Sequence, residues 1–184
     1  VPIKNRSPRY IVADGNNVYF TAYSGYVYKM NTSSYAITDS VQVGDHPEAL
    51  AIANGKIYVA NSGYGSGNTV SVIDESTFEK NKDLTVETNP YNQMIAIGNK
   101  VFFISNMDNL DNKLQEIDAT TDKVTSVASA SVIAYDPSSS SLVCIFDAYY
   151  AKSKSYFRYD ISTGKTTNLS GLSVVSDPGQ VSVD

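Results

Sequence analysis

His46 is the only histidine in the chain and stands between Asp45 and Pro47, so the first chemical question is what one imidazole beside one carboxylate can do. It cannot anchor a zinc hydrolase, which draws two or three imidazole ligands from its own chain. A serine hydrolase orients its histidine with an acid converging from another segment, whereas Asp45 is the adjacent residue. His46 is therefore expected to be a turn residue ahead of a proline, with ligand contact ranking above catalysis. Cys144, the only cysteine, lies in the apolar run Leu142-Val143-Cys144-Ile145-Phe146 and reads as a small core residue. An activated thiol would want an electropositive, part-exposed setting. The run Asp108 to Asn112 is rich in oxygen but lacks the alternating acids and distant glutamate of a calcium loop, so it reads as a solvated loop. Gly63, Gly65 and Gly67 precede a strand, not a helix with a lysine, and so bend a loop instead of cradling phosphate. No catalytic residue, no metal site and no cofactor are expected.

What the chain does offer is aromatic, amide and hydroxyl side chains in turn-rich stretches. Tyr23 and Tyr26 form one group, Asn61 and Tyr64 a second, Tyr91 and Asn106 a third, and Asp147, Tyr149 and Tyr150 a fourth, with His46 in a stretch of the same kind. Such groups bury a flat or polyhydroxylated ligand through stacking and neutral hydrogen bonds, and suit acid–base chemistry poorly. These are the candidate ligand contacts.

The elements that must position them repeat. The strings PRYIVADGNNVYFTAYSGYVYKMN from Pro8, PEALAIANGKIYVANSGYGSGNTVSVID from Pro47 and PYNQMIAIGNKVFFISNMDNLDNKLQEID from Pro90 share one grammar, and a looser fourth copy follows. The first residue of the most apolar run falls at Val18, Ile57, Val101 and Leu142, and the Asn or Asp closing the next run at Asn31, Asp74, Asp118 and Asp160. A period of about forty residues means stacked copies of one supersecondary unit. Within each copy apolar residues alternate in short runs broken by Gly, Asn, Asp, Ser or Pro, which reads as strands and turns. Asn54-Gly55 is a two-residue hairpin signal, since both positions tolerate positive φ. Four antiparallel strands per unit, the last one polar, is the design of a β-propeller blade; a solenoid of parallel coils would have shorter coils without hairpins. The fold expected is all-β, one propeller domain or part of one, with blades at about 8–45, 46–89, 90–130 and 131–176 and the first strand of a fifth at 177–184. In that topology the loops joining second to third strands and the connections between blades form one face, and the candidate contacts all lie on it.

The strings IYVANSGYG at Ile57 to Gly65 and NTVSVID at Asn68 to Asp74, preceded by VGDHPEALAI, resemble the YVTN-repeat, YncE-like, surface-layer-type propellers. The resemblance runs from Pro8 to Asp184 and weakens in the fourth copy, where Leu142-Val143-Cys144 departs from the pattern and Pro137 lengthens the first turn. It implies a ring of seven blades, of which this chain holds an incomplete arc, completed by further blades or by a second chain. PEALAI and ANSGYG are also similar to surface lipoprotein propellers of gut Bacteroidetes. Some of those capture corrinoids such as vitamin B12 and pass them to an outer-membrane transporter. An extracytoplasmic location, at the cell surface or in the periplasm, is implied on the same ground.

Composition bounds the remaining classes. With 42% hydrophobic residues the chain can bury a core, and a net charge of −5 without a basic cluster argues against nucleic acid and anionic membrane surfaces. No apolar run approaches the eighteen or so residues of a membrane-spanning helix. No secretory leader is recognisable, and Val1 is not an initiator methionine, so a processed or trimmed start is allowed. The leading functional reading is a non-enzymatic extracytoplasmic binding module that holds a small ligand, a corrinoid among the candidates, or a partner protein on the loop face. A lyase or lactonase of the propeller kind and a structural surface-layer protein are the alternatives. An open arc would expose Ile11, Val18, Phe20 and Val27 at one end and Val143, Ile145 and Phe157 at the other.

Overall fold

The alternation of each repeat becomes four strands in the computed structural model, which describes residues 7–106, 111–147 and 154–170. The first sheet comprises β1 (Pro8–Asp14), β2 (Asn17–Ala22), β3 (Tyr26–Asn31) and β4 (Ile37–Gln42). The second comprises β5 (Pro47–Ala53), β6 (Lys56–Asn61), β7 (Thr69–Asp74) and β8 (Lys80–Thr85). The third comprises β9 (Pro90–Ile97), β10 (Lys100–Asn106), β11 (Asn112–Asp118) and β12 (Lys123–Ser129). The fourth comprises β13 (Val132–Asp136), β14 (Ser141–Phe146), β15 (Ser155–Asp160) and β16 (Thr166–Asn168). Every sheet is an antiparallel meander in chain order, and the described residues contain no α-helix. The hairpin at Asn54 (φ 51°) and Gly55 (φ 67°) is the tight turn its sequence called for. No helix among the described residues is long and apolar enough to cross a membrane. The segment 177–184 lies outside the described residues.

The sheets stack face to face, and strand parity decides which neighbour each residue meets. Tyr19 and Val27 of the first sheet pack with Ile57, Val59 and Ile73 of the second. On the second sheet's other face, Tyr58, Ala60, Val70 and Val72 pack with Val101, Phe103 and Ile117 of the third. Phe102, Ile104 and Leu114 then meet Leu142, Cys144 and Phe157 of the fourth. Burying each large side chain contributes about 1.5–3 kcal/mol, so three such layers hold the arc together, with side-chain hydrogen bonds between sheets added to them. Cys144 is fully buried, and burial pushes its thiol up to about 12, as befits a core residue.

Parity also corrects the expected ends. Val27 pairs with Thr21 and so shares the face of Tyr19, where it is fully buried against the second sheet. Phe157 pairs with Cys144 and turns inward against the third sheet. Phe20 is buried as well, its ring stacked on Tyr28 with centroids 5.2 Å apart, and Ile145 is nearly so. Ile11 is the residue of the set that is open to solvent, at 63%. It borders an apolar hollow of about 240 Å³ with Phe20 and Met30 on the first sheet's outward face.

The turn from third to fourth strand is built alike in all four blades. The side chains of Asn31, Asp74, Asp118 and Asp160 each accept hydrogen bonds from the second and third following N–H groups, at 2.8–3.2 Å. The fourth following residue takes a left-handed conformation: Tyr35 (φ 55°), Phe78 (φ 57°), Asp122 (φ 59°) and Gly164 (φ 69°). In the second and third blades its side chain reaches into the preceding blade. Phe78 stacks on Tyr19 at 5.8 Å, and Asp122 accepts the Tyr58 hydroxyl at 2.7 Å and the ammonium groups of Lys56 and Lys82 at 2.9 and 2.8 Å. Tyr35, at the same position in the first blade, is 59% exposed.

Candidate functional site

Each of the first three blades opens on a left-handed residue followed by proline: Ser7-Pro8 (φ 44°), His46-Pro47 (φ 45°) and Asn89-Pro90 (φ 58°). The carbonyl of that corner residue accepts the N–H of a residue at the end of the second strand or just past it, from Tyr23 at 3.1 Å, Ser62 at 3.1 Å and Asn106 at 2.9 Å. The corners and the second-to-third loops are thereby locked together along one face. His46 is a turn residue before proline, as its sequence context required.

Two of these loops bring rings together around His46. The imidazole lies 5.0 Å from the Tyr23 ring and 5.3 Å from the Tyr64 ring, both tilted, and the Arg9 guanidinium covers Tyr23 at 4.6 Å. His46 Nδ1 is 2.9 Å from an Asp45 carboxylate oxygen but not aligned for a hydrogen bond. Tyr64 is presented by a single 3-10 turn, Gly63–Gly65, in a left-handed conformation (φ 55°) and is 83% exposed. The loop closes on Gly67, where a Cβ would stand 2.3 Å from the Asn61 carbonyl oxygen, so only glycine fits.

Beneath the rings Glu48 is buried within β5. Its Oε1 accepts the Tyr23 hydroxyl at 2.7 Å and its Oε2 pairs with Arg9 at 3.1 Å. Burial first, and the Glu48 hydrogen bond second, push the Tyr23 phenol up to about 12. Tyr23, Tyr64, Tyr91 and Asn106 line a hollow of about 390 Å³ floored by Glu48, Ser62 and Asn89. Asn89 Nδ2 donates to the Asn106 carbonyl at 3.1 Å, fixing that wall. A smaller hollow of about 110 Å³ shares Tyr91 and Asn106 and continues toward Gln93, Asn112 and Ser131.

The remaining candidates sit elsewhere. Asn61 is buried and spent on the scaffold, accepting the Gly44 N–H at 3.1 Å and donating to Thr69 and Ser71 at 3.0 Å. Tyr26 lies beside Tyr28 on the first sheet's outward face, centroids 6.1 Å apart. Asp147 takes Lys154 at 2.6 Å in the fourth blade and does not line the hollow. Tyr149 and Tyr150 lie outside the described residues, as does most of Asp108 to Asn112. Glu48 was missed because it sits in a strand; the signal was a carboxylate in the otherwise apolar run Pro47 to Ala53.

A larger hollow, about 620 Å³, runs along β1, β5 and β9 at the opposite end, lined by Leu50, Ala51 and Met94 with Asp14 and Glu75 at its rim. Burial first, and Asp14 beside it second, raise the Glu75 carboxyl above its ordinary range, and Tyr19 donates to it at 3.4 Å. It carries no tyrosine among its lining residues. Among the described residues no group of three or more His, Cys, Asp or Glu converges where it could hold a metal ion.

No family model matches the chain, and no curated protein matches it. Solved structures do. Hydrazine synthase of Kuenenia stuttgartiensis superposes with a TM-score of 0.73 at 20% identity, over 92% of this chain and 51% of that one. The fold is that of a β-propeller. A europium-containing methanol dehydrogenase aligns over 88% of this chain and 42% of its own, with TM-score 0.68 and 13% identity. A nidogen/laminin complex aligns over all of this chain and 71% of its own, with TM-score 0.64 and 13% identity. The chain spans about half the length of the hydrazine synthase chain, and its four blades fit a partial propeller. At these identities the likeness carries the fold and no activity.

Proposed function

We propose that the chain is a non-enzymatic, extracytoplasmic binding module that captures a small ligand in the tyrosine-lined hollow of its loop face. The observation behind this reading is that Tyr23, Tyr64, Tyr91 and Asn106, drawn from three blades, meet around one pre-formed cavity of about 390 Å³. Concave sites with aromatic walls and a few fixed polar groups are where small molecules bind. The YVTN-type strings support membership of the surface-propeller group and make a corrinoid one ligand to try. Docking of an outer-membrane transporter or another protein on the same face is the protein-partner form of this reading. Calorimetry of the whole chain against cyanocobalamin, glycan mixtures and peptides tests it. Saturable binding lost in Tyr91→Ala supports capture at this face; no heat with any class overturns it.

The enzymatic alternative, a lyase or lactonase, has one observation in its favour, the Asp14–Glu75 carboxylates at the other end of the inner strands, where a raised Glu75 would serve as a general acid. Turnover of lactone or uronide substrates abolished by Glu75→Gln would establish it, and its absence across both classes would remove it.

A further inference from the structure

Resting on the capture reading, we propose that the occupant of the loop-face hollow is a neutral saccharide of about one or two rings, held against Tyr64 and Tyr91. Four features of the site converge on that chemistry.

The first is the platform. Arg9, Tyr23, His46 and Tyr64 form a continuous stack with successive separations of 4.6, 5.0 and 5.3 Å. The stack fixes Tyr64 at the rim, where its ring stands 83% exposed on a left-handed backbone that a bulky side chain adopts only at a cost in free energy. Among the described residues its one ring neighbour is His46, and the rest of the ring is open to solvent. A sugar's C–H face is apolar and flat enough to lie on such a ring, and its cost of exposure falls when it does.

The second is charge. The one carboxylate in the hollow, Glu48, is already matched by Arg9 and the Tyr23 hydroxyl, so a charged ligand finds no free partner there. Asp45, three residues before Glu48 and with its side chain 73% exposed, adds negative charge to the same loop face and disfavours anions.

The third is the polar set. Ser62 Oγ donates to the His46 carbonyl at 2.9 Å and keeps its acceptor lone pairs. Asn89 spends its Nδ2 on the Asn106 carbonyl, while its Oδ1 accepts no hydrogen bond among the described residues and can accept from a ligand. Hydroxyl groups, which both donate and accept, match such a mixture, whereas a purely accepting anion does not.

The fourth is shape. The hollow of about 390 Å³ and the one of about 110 Å³ adjoin at Tyr91 and Asn106, which line both, so the concave surface is drawn out into a trough. A short chain of rings follows a trough; a broad macrocycle does not.

The test uses the whole chain on an array of neutral mono- and oligosaccharides, a second array bearing uronic and sialic acids, and cyanocobalamin, followed by calorimetry and saturation-transfer NMR on the hits. A neutral sugar should bind saturably, with saturation strongest on the C–H protons of one ring face. Tyr64→Ala and Tyr91→Ala should each weaken it at least tenfold while leaving the melting curve unchanged, and the remote Tyr35→Ala should bind like the parent. Binding only to acidic glycans, or only to cyanocobalamin with loss in Tyr91→Ala, overturns the saccharide assignment and leaves the capture site standing. Neutral-sugar binding that survives both tyrosine variants overturns the assignment to this hollow. Silence on all three overturns the saccharide and the capture reading together.

Discussion

Glu48 does two jobs with one side chain, and both can be measured. Removing its charge in Glu48→Gln takes the strong acceptor from Tyr23 and the ion pair from Arg9. The Tyr23 phenol, held at about 12, should move back toward the ordinary tyrosine value, though not all the way, because burial remains the larger cause. The Cζ shift of labelled tyrosine followed through alkaline titration reads this directly; an unmoved Tyr23 would contradict the hydrogen bond. Glu48→Ala should cost about 1–3 kcal/mol in urea unfolding, since Arg9 is part-exposed and its half of the pair is screened. At this scale the sequence exposed Tyr23 and Tyr64, which lie in second-to-third loops, and Tyr91 and Asn106, which lie at the strand ends beside a blade corner, places that follow from the repeat register. It did not expose Glu48, whose neighbours are apolar strand residues, and it overvalued Asn61 and Tyr26. Asn61 ends β6 and is spent on Gly44, Thr69 and Ser71, and Tyr26 opens β3 on the first sheet's outward face, so neither side chain lines the trough.

The third-to-fourth turn is the element that joins blades, and the joint depends on the neighbour more than on the turn. Phe78→Ala should destabilise the fold by about 3 kcal/mol, because the ring is buried against Tyr19 of the preceding blade. Tyr35→Ala, the same turn position in the first blade, should change stability by no more than about 0.5 kcal/mol. Equal losses would show that the two turns are not packed as described. The turn acids also set acid sensitivity. Side-chain and backbone hydrogen bonds lower the carboxyls of Asp74, Asp118 and Asp160, the last to about 2. A carboxyl lower in the folded than in the unfolded state favours the fold above the unfolded value of about 4, and that advantage is lost as pH falls through the folded value. The melting temperature should therefore drop between about pH 4 and 2. Asp160→Asn keeps an accepting oxygen, as Asn31 already does, and should flatten part of that fall. These turns were legible as turns because Asp or Asn followed by Ser or Thr is a local signal. That in the second and third blades their last residue reaches across to another blade was not, since nothing in one repeat names the surface it will meet.

At the scale of the whole molecule, four sheets meet through three apolar layers and a few polar links, Glu48 with Tyr23 and Asp122 with Tyr58 among them, and the first sheet turns Ile11 outward beside an apolar hollow, with Tyr35 also exposed. Such a face is prone to association. Light scattering should show concentration-dependent self-association that Ile11→Lys reduces; a monomer with an undisturbed cooperative melt at high concentration would show that the face is innocuous. Blade number and strand order were readable from the repeat because each strand contributes its own alternation and each turn its own residues. The burial of Val27 and Phe157 was not, because membership of a particular face depends on register within the sheet. The reach of Phe78 and Asp122 into the blade before them has a genetic consequence. Phe78 seats on Tyr19 of the first blade, whereas the second blade offers Tyr58, Lys56 and Lys82 to Asp122, so a second blade copied in tandem would set a phenyl ring against ammonium groups. A gene built this way lengthens by unequal crossing-over in steps of one blade, and each new joint is then fitted by substitution at the turn residue or at the surface it meets.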